Sequence, residues 1–368
     1  MTPRERLRNE LNEHGFASEA ALRANGIRPS DVLDLASVGN GAQPPQAVLD
    51  AIALAPLRAH SDPRAAAARD SIAAALATNP DALLLGHGAE ELLWSCGRAL
   101  ARPGESVLSI MPGNTKLAQA ARISGARTLQ WRAVERTGHS VDLEQVAELI
   151  QLESPALVTL ATPAAISGSP VSFSDVLALA ARFPRSLFVI DQAELTLSDQ
   201  HADASIAPAE NVLCVRSIGV ELGLPGLRAG FLWARPELCA QLAEQRPSFA
   251  ISAVVQAASE AAFRERTFVT DSRLRLAADR ARLERLLAAL ELTASPSVAP
   301  ALLVRIARAS EVAEELLIEH RIAVRACAAY GLPDHLRIGA LAGEHEGRLR
   351  SALTAVLSRR KLRAGREV

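Results

Sequence analysis

The chain has 368 residues, of which 49% are hydrophobic and 22% are charged, a balance typical of a globular protein with a substantial core. A formal net charge of -1 argues against a nucleic-acid partner, because such partners select strongly basic surfaces. The charged N-terminus, the lack of long apolar runs and the scattered positions of the four cysteines predict a cytoplasmic protein with no membrane partner, no metal site and no structural disulfide.

In chain order, the pattern first predicts two helices within residues 1–30, the second one short. Strands and helices then alternate from about residue 82 to residue 235, and the strands are continuous apolar runs, as in a buried parallel sheet. Residues 250–290 predict a long helical stretch. After Pro296, short strands and two helices predict a smaller α+β unit, with disorder only in the last few residues.

Five segments carry a family resemblance when they are taken together in chain order. They are GHGAEELLWSCGRALARPGESVLSIMPG (86–113), TPAAISGSPVS (162–172), FVIDQAEL (188–195), RSIGVELGLPGLRAGF (216–231) and YGLPDHLRI (330–338). Their order and spacing resemble those of fold-type I pyridoxal-phosphate (PLP) aminotransferases, and most closely the histidinol-phosphate aminotransferase branch. The resemblance covers roughly residues 30–358.

This resemblance implies an α/β, fold-type I PLP-transferase fold, in which a large domain has a mainly parallel central sheet flanked by helices. We expect residues 45–245 to form that large domain and residues 246–368 to form a smaller α+β domain, which residues 1–44 join. A homodimer is also implied, because the family's active sites lie at a dimer interface.

The residue that carries the family's chemistry is missing from its expected position. In the family, a lysine forms a Schiff base with PLP and shuttles the substrate's α-proton. The motif places Val220 there, and valine has no amine. The chain has only two lysines, Lys116 and Lys361, and Lys361 lies near the C-terminus. Lys116 is interpreted as a solvent-facing helix residue, and the alternative is that it reaches the pocket from the turn after Gly113. We therefore expect no covalently bound cofactor, and non-covalent binding of PLP or pyridoxamine phosphate (PMP) stays open.

The resemblance implies that several other pocket groups are replaced. The cofactor-stacking tyrosine corresponds to Asn114, which has no aromatic face, and the asparagine that donates to the cofactor's phenolic oxygen corresponds to Ala165. A tyrosine from the neighbouring subunit corresponds to His60, and the tyrosine after the aspartate strand corresponds to Glu194. The serine before the lysine is Gly219.

Three charged positions match the family's ligand-binding residues. Asp191 corresponds to the aspartate that pairs with the pyridinium nitrogen, and Arg228 corresponds to the arginine that grips the phosphate. Alternatively, these two side chains pair with each other. Arg337 corresponds to the arginine that clamps a substrate carboxylate, although a surface arginine retained with the fold is the alternative.

The turn at residues 86–90, which follows the short apolar strand at residues 82–86, is a further candidate for binding an anion. Gly88, Ala89 and Glu90 open a helix whose free N-terminal amides favour negative charge, so we expect them to contact the cofactor. His87, between two glycines, is a candidate substrate contact, with an exposed turn residue as the alternative.

Acid–base chemistry in a pocket without its lysine would need other titratable groups. His60, Glu194 and Asp191 are the candidates, and Glu221 is a weaker one. The alternative is that His60 lies in a polar loop and that Glu194 is solvated.

Three functions are compatible with these residues. The leading hypothesis is an unconventional, PLP-independent enzyme that acts on an amino-acid-like or phosphorylated small anion. The alternatives are a catalytically silent binding or partner subunit and a non-covalent PLP- or PMP-binding protein. Ordinary transamination ranks last, because the lysine is both the anchor and the proton shuttle.

Overall fold

The computed structural model of the chain describes residues 1–37 and 39–364, with the side chains of Arg266 and of residues 360–364 left out. The expected disordered tail and the side chain of Lys361 lie outside the described residues.

The helices are α1 (Pro3–His14), α2 (Glu19–Ala24), α3 (Gln46–Ala53), α4 (Ala66–Leu76), α5 (Gly88–Leu100), α6 (Lys116–Ile123), α7 (Leu143–Glu153), α8 (Phe173–Arg182), α9 (Ile218–Glu221), α10 (Pro236–Glu244), α11 (Ala253–Ala262), α12 (Arg266–Ala289), α13 (Ala309–His320) and α14 (Glu346–Ala364). The strands are β1 (Leu33–Asp34), β2 (Leu83–Gly86), β3 (Ser106–Met111), β4 (Arg127–Arg132), β5 (Leu157–Ala161), β6 (Leu187–Asp191), β7 (Val212–Ser217), β8 (Gly230–Trp233), β9 (Ala301–Arg305), β10 (Ile322–Ala323), β11 (Arg325–Ala326) and β12 (His335–Gly339).

These elements confirm the two N-terminal helices and the alternation of strands and helices, but the helical stretch over residues 250–290 is interrupted. The chain leaves α11 at Phe263 and re-enters a helix at Arg266. Phe263 packs edge-on against Phe231, with 5.7 Å between the ring centroids. This aromatic contact fixes the turn, which helical periodicity alone does not reveal.

The chain divides into two compact units. Unit 1 comprises the described residues of Met1–Val38, Ile166–Gly168 and Arg275–Val368, and unit 2 comprises Gly39–Ala165 and Ser169–Leu274. Residues 246–274 therefore cluster with the α/β unit, whereas the sequence placed the boundary at residue 245. The reason is the packing of α11, which lies against α3 and α4 of unit 2.

Unit 2 is built on a seven-stranded sheet in the order β2-β8-β7-β6-β5-β3-β4. β8 runs antiparallel to its two neighbours, and the remaining pairs are parallel. This confirms the predicted α/β class with a mainly parallel sheet. The carboxyl ends of the parallel strands meet at one edge, which is the usual position of a ligand site in such sheets.

Helix α5 lies against this sheet and packs closely on α6. Its buried residues recur at helical spacing along one face. At Gly97, an added Cβ would come within 2.3 Å of the backbone oxygen of Leu117, so α5 and α6 pack almost backbone to backbone. This close packing carries the first residue of α6, Lys116, toward the first turn of α5.

Unit 1 contains a three-stranded antiparallel sheet in the order β11-β12-β9 and a short parallel pair, β1 with β10. Strand β12 is central and fully buried. Its alternating residues Leu336 and Ile338 face the main hydrophobic core of this unit.

The four cysteines are all buried, and none forms a disulfide. Burial raises the pKa of Cys214 to about 12, so this thiol stays neutral. Within the part of the chain that the structure describes, no group of three or more His, Cys, Asp or Glu side chains is arranged to hold a metal ion. Among the same residues, no helix is both long enough and apolar enough to cross a membrane.

Candidate functional site

Asp191 ends strand β6 at the carboxyl edge of the parallel strands in unit 2 and is 9% exposed. Burial, together with the nearby charge of Glu194, raises the pKa of this carboxyl group to about 6. A backbone hydrogen bond from Ala193 at 3.0 Å and a side-chain hydrogen bond with Asn114 act in the opposite direction. Asn114 and Glu194 therefore both act on the buried carboxylate of Asp191, and the structure brings these three predicted residues together.

Arg228 lies over the start of α5, next to Gly88. Its backbone is left-handed, with φ 54° and ψ 52°. Gly88 has φ +81°, and an added Cβ there would come within 3.0 Å of the Arg228 Nη2 atom. Glycine at this position lets the guanidinium group of Arg228 approach the N-terminal amides of α5. The guanidinium group and the amides of Gly88 and Ala89 can together bind an anion, and we refer to them as the anion cradle.

The ion pair of Arg228 is with Glu90, not with Asp191. Its Nη2 atom lies 3.8 Å from Oε2 of Glu90. The alternative in which Asp191 and Arg228 neutralise each other is therefore wrong, and the buried carboxylate of Asp191 forms no ion pair with Arg228.

Lys116 lies beside the same carboxylate. Its Nζ atom is 3.5 Å from Oε1 of Glu90. A cavity of about 360 Å³ is lined by His87, Glu90, Glu91, Trp94, Lys116 and Arg228. The interpretation of Lys116 as a solvent-facing residue is therefore incomplete, because its amine helps to line this cavity. Its contact with Glu90 is not apparent from the sequence, since the two residues meet only through the packing of α5 on α6.

Glu91, on the wall of this cavity, is already neutralised. It accepts hydrogen bonds from the His87 backbone N–H at 3.1 Å and from Ser95 Oγ at 2.8 Å. It also pairs at 2.9 Å with Arg246, whose side chain is 9% exposed. The charges left facing the cavity are those of Glu90, Lys116 and Arg228.

Val220 lies in α9, which follows strand β7 directly. Its N–H donates to Ser217 Oγ at 3.2 Å, and its carbonyl accepts from the Asn40 N–H at 3.3 Å. At Gly219, an added Cβ would come within 2.8 Å of the Leu224 carbonyl oxygen, so the tight turn after β7 disfavours a serine there. This gives a structural reason for one of the pocket replacements.

Glu221 is a stronger candidate than the sequence indicated. It is half-buried, and its Oε1 atom accepts a hydrogen bond from Thr196 Oγ1 at 2.6 Å. Burial raises the pKa of this carboxyl group to about 7, although Thr196 and the positive charge of Arg216 oppose the rise. Such a group changes its protonation near neutral pH.

Arg216 is a buried cation that sequence analysis missed. It is 2% exposed, and its Nε atom donates to Gln192 Oε1 at 3.0 Å. Its guanidinium carbon lies 5.3 Å from the ring centroid of Trp233, and its Nη2 atom has no hydrogen-bond partner among the described residues. The feature of the sequence that could have revealed this cation is a single charged residue within the apolar strand NVLCVRSI.

His60 is exposed, and its ring lies 5.0 Å from that of Phe249. Glu194 is half-buried beside Asp191. The structure thus gives these two acid–base candidates different neighbours, and their joint role stays a prediction. Ala165, which replaces a donor, is half-buried in unit 2.

Arg337 lies in the middle of β12 in unit 1 and is 4% exposed. It is paired in the sheet with Leu303 on one side and Arg325 on the other. The alternative of a surface arginine is therefore wrong. A buried cation is costly unless polar groups compensate its charge, and the binding of a carboxylate by Arg337 stays a prediction.

With this geometry in place, comparison with known proteins defines the class of the chain. Residues 31–356 match the family described as aminotransferase class I and II, and the chain belongs to that family.

Among its relatives, a histidinol-phosphate aminotransferase of Ruegeria pomeroyi is 31% identical over 342 residues, which is 91% of this chain and 93% of the relative. Another, of Methylobacillus flagellatus, is 28% identical and covers 92% of both chains. The structure of the Sinorhizobium meliloti histidinol-phosphate aminotransferase in complex with pyridoxal-5'-phosphate aligns with a TM-score of 0.84 and 25% identity, covering 92% of this chain and 94% of that one. A Thermus thermophilus aspartate aminotransferase double mutant shares the fold, with a TM-score of 0.78, 21% identity and coverage of 92% and 94%.

These relationships correct the expectation about the cofactor. The sequence led us to expect no covalent cofactor, with only non-covalent PLP or PMP left open. The match to an aminotransferase family and the PLP complex of the S. meliloti relative point instead to PLP as the cofactor.

Proposed function

We propose that this protein binds PLP in unit 2 and uses it on an amino-acid-like or phosphorylated small anion, without a lysine at position 220. The observation that carries the proposal is the combination of a buried carboxylate, Asp191, with an anion cradle formed by Gly88 and Arg228 in the same unit. This replaces the PLP-independent chemistry that the sequence favoured.

The phosphate end of the cofactor fits the cradle. The first amides of α5, including those of Gly88 and Ala89, have no partner inside the helix. The Arg228 guanidinium lies close to Gly88, since an added Cβ there would come within 3.0 Å of its Nη2 atom. Amides and a guanidinium group that converge on one point are the usual protein ligands of a phosphate.

The ring end of the cofactor fits Asp191. Burial raises the pKa of this carboxyl group to about 6, so its ionised form is costly without a cation. A protonated ring nitrogen would supply that cation. Asn114, which replaces an aromatic stacking residue, would contribute its hydrogen bond with Asp191 rather than a ring face.

When bound, PLP supplies an electron-withdrawing ring and a reactive carbonyl for amino-group chemistry. The residues of this chain would bind and orient the reactants. Arg337 would hold a substrate carboxylate, and His87 would contact an anion at the cavity. Val220 offers no proton acceptor, so proton transfer would fall to its neighbour Glu221 or to Glu194 and His60, the acid–base candidates that do not hold the ring.

The position of Val220 supports its assignment to the place of the family's lysine. It follows β7, and β7 pairs in parallel with β6, which ends at Asp191. Both residues therefore lie at the same edge of the sheet, where the cofactor would be held.

An absorbance titration of the purified protein with PLP tests the proposal. We expect a saturable spectral change, and about a 10- to 100-fold weaker affinity in Arg228→Gln, because one charge-assisted contact is lost. In Asp191→Asn, the pH dependence of the bound spectrum should change, since the ring nitrogen loses its anionic partner. Arg127→Gln, which removes an exposed arginine paired with Glu153, is a matched control. No saturable change in the unmodified protein would overturn the proposal and favour a binding or partner subunit.

A further inference from the structure

The cavity at the start of α5 holds two cations that share one carboxylate. Glu90 lies between Lys116, at 3.5 Å through Oε1, and Arg228, at 3.8 Å through Oε2. The three side chains line a cavity of about 360 Å³ together with His87 and Trp94, among others.

The charges in this cavity do not balance. Glu91 is neutralised by Arg246 at 2.9 Å and by hydrogen bonds within its own turn. Glu90 supplies one negative charge against the two positive charges of Lys116 and Arg228. The N-terminal amides of α5 add further partial positive charge. The positive charge at the cavity therefore exceeds the single negative charge of Glu90, so the cavity can accept a further negative charge.

The contacts of Glu90 are loose. Both of its N···O distances exceed the 2.7–2.9 Å typical of charge-assisted hydrogen bonds. The Glu90 side chain is 51% exposed, so water screens its ion pairs, and exposed pairs of this kind stabilise by only about 0–1 kcal/mol. The neighbouring Glu91–Arg246 pair is shorter and more buried. Of the two carboxylates, Glu90 is the one that a ligand can displace at little cost.

We infer that this cavity is a phosphate subsite, and that the Glu90 carboxylate occupies the place of the phosphate when no ligand is bound. A phosphate monoester displaces this carboxylate and binds between Lys116 and Arg228. A phosphate dianion matches the two cations in charge, whereas a single carboxylate does not. The inference rests on the proposed function for the source of the phosphate, which is either the cofactor or a phosphorylated substrate. It assigns Lys116 as a phosphate ligand of this particular chain.

Two substitutions should change the affinity for phosphate monoesters in opposite directions. Lys116→Gln should weaken PLP binding about 10-fold, because a charged ligand is lost, and should leave binding of pyridoxal, which lacks the phosphate, unchanged. Glu90→Gln should strengthen PLP binding about 3-fold, because the competing carboxylate is neutralised. Both effects should shrink at high salt. Arg127→Gln and Glu153→Gln, from an ion pair at 2.7 Å elsewhere in unit 2, are matched controls.

The source of the phosphate is identified by a second titration, with histidinol phosphate added to the PLP-saturated protein. If Lys116→Gln weakens this ligand but not PLP, the subsite holds the substrate's phosphate. If it weakens PLP selectively over pyridoxal, the subsite holds the cofactor's phosphate.

The failure of this inference can be distinguished from the failure of the proposed function. Equal affinities of the unmodified protein and Lys116→Gln for both PLP and histidinol phosphate would overturn the inference while PLP binding itself stands. If the unmodified protein does not bind PLP, a direct calorimetric titration with inorganic phosphate still tests the subsite. In that case, phosphate affinity that depends on neither Lys116 nor Glu90 would overturn the inference.

Discussion

The two ends of the proposed cofactor site in unit 2 are built in different ways. At the start of α5, Glu90 makes long, exposed ion pairs with Lys116 and Arg228. At α9, the polar groups are buried or half-buried and make short hydrogen bonds, such as the 2.6 Å bond between Thr196 and Glu221. Loose surface pairs can exchange a side chain for a ligand at little cost, whereas a buried arrangement resists change.

Under the proposed function, this contrast separates binding from chemistry. The end proposed to bind an anion has an arginine and a glycine turn, and Lys116 lies next to them. The end proposed to carry proton transfer has no amine at Val220 and has a carboxyl group next to it, Glu221. In the proposal, binding and chemistry therefore depend on different ends of one site.

The largest expected effect comes from restoring an amine at the α9 end. Val220→Lys should raise the rate of amino transfer from histidinol phosphate to a 2-oxo acid by about 100-fold or more, because a positioned general base contributes that much. The rate is measured with the PLP-saturated protein. Val220→Met, which adds length without an amine, is the matched control. Equal rates in the two variants would show that the missing amine does not limit the reaction, and the contrast between the two ends would break down.

The fold was largely predictable from the sequence because its signals are local. Continuous apolar strands alternate with helices, and the glycine turn around Gly88 and the aspartate at the end of β6 come at fixed points in that alternation. The contact between Lys116 and Glu90 was not predictable, because it depends on the close approach of two helices at Gly97. The burial of Arg216 was missed for a similar reason, since burial depends on which strands come to lie alongside each other. For Arg337 the sequence left a surface position open as the alternative, and only its place in the middle of β12 removes that alternative.

The next largest effect concerns the arginine of unit 1. Arg337→Gln should weaken binding of an amino-acid-like anion to the PLP-saturated protein by about 10- to 100-fold, as measured by calorimetry, because a fork of two hydrogen bonds is lost. Arg337→Lys keeps the charge but not the fork and should lose most of the same affinity. Because Arg337 is 4% exposed, the melting temperature of each variant shows whether the fold is retained. Unchanged affinity in folded variants would remove Arg337 from the site.

The smallest expected effect tests whether the ionised form of Glu221, at the α9 end, destabilises the fold. Burial raises the pKa of Glu221 to about 7 from an ordinary 4.5. Between these values the folded chain holds a proton that the unfolded chain releases, so stability falls as the pH rises from about 4.5 to about 7. Glu221→Gln removes this penalty and can still accept the hydrogen bond of Thr196. Its melting temperature should therefore exceed that of the unmodified protein by several degrees near pH 8, for a gain of about 1–3 kcal/mol, and by little near pH 4.5.

Glu90→Gln is the comparison at the other end of the site. Glu90 is exposed and loosely paired, so its substitution should change stability by less than about 0.5 kcal/mol at either pH. If Glu221→Gln behaved in the same way as Glu90→Gln, the carboxyl group at α9 would be as freely solvated as the one at α5. A pH-dependent gain in Glu221→Gln alone would instead mean that the fold maintains a costly carboxylate next to Val220, the residue that the proposed function assigns to the position of the missing lysine.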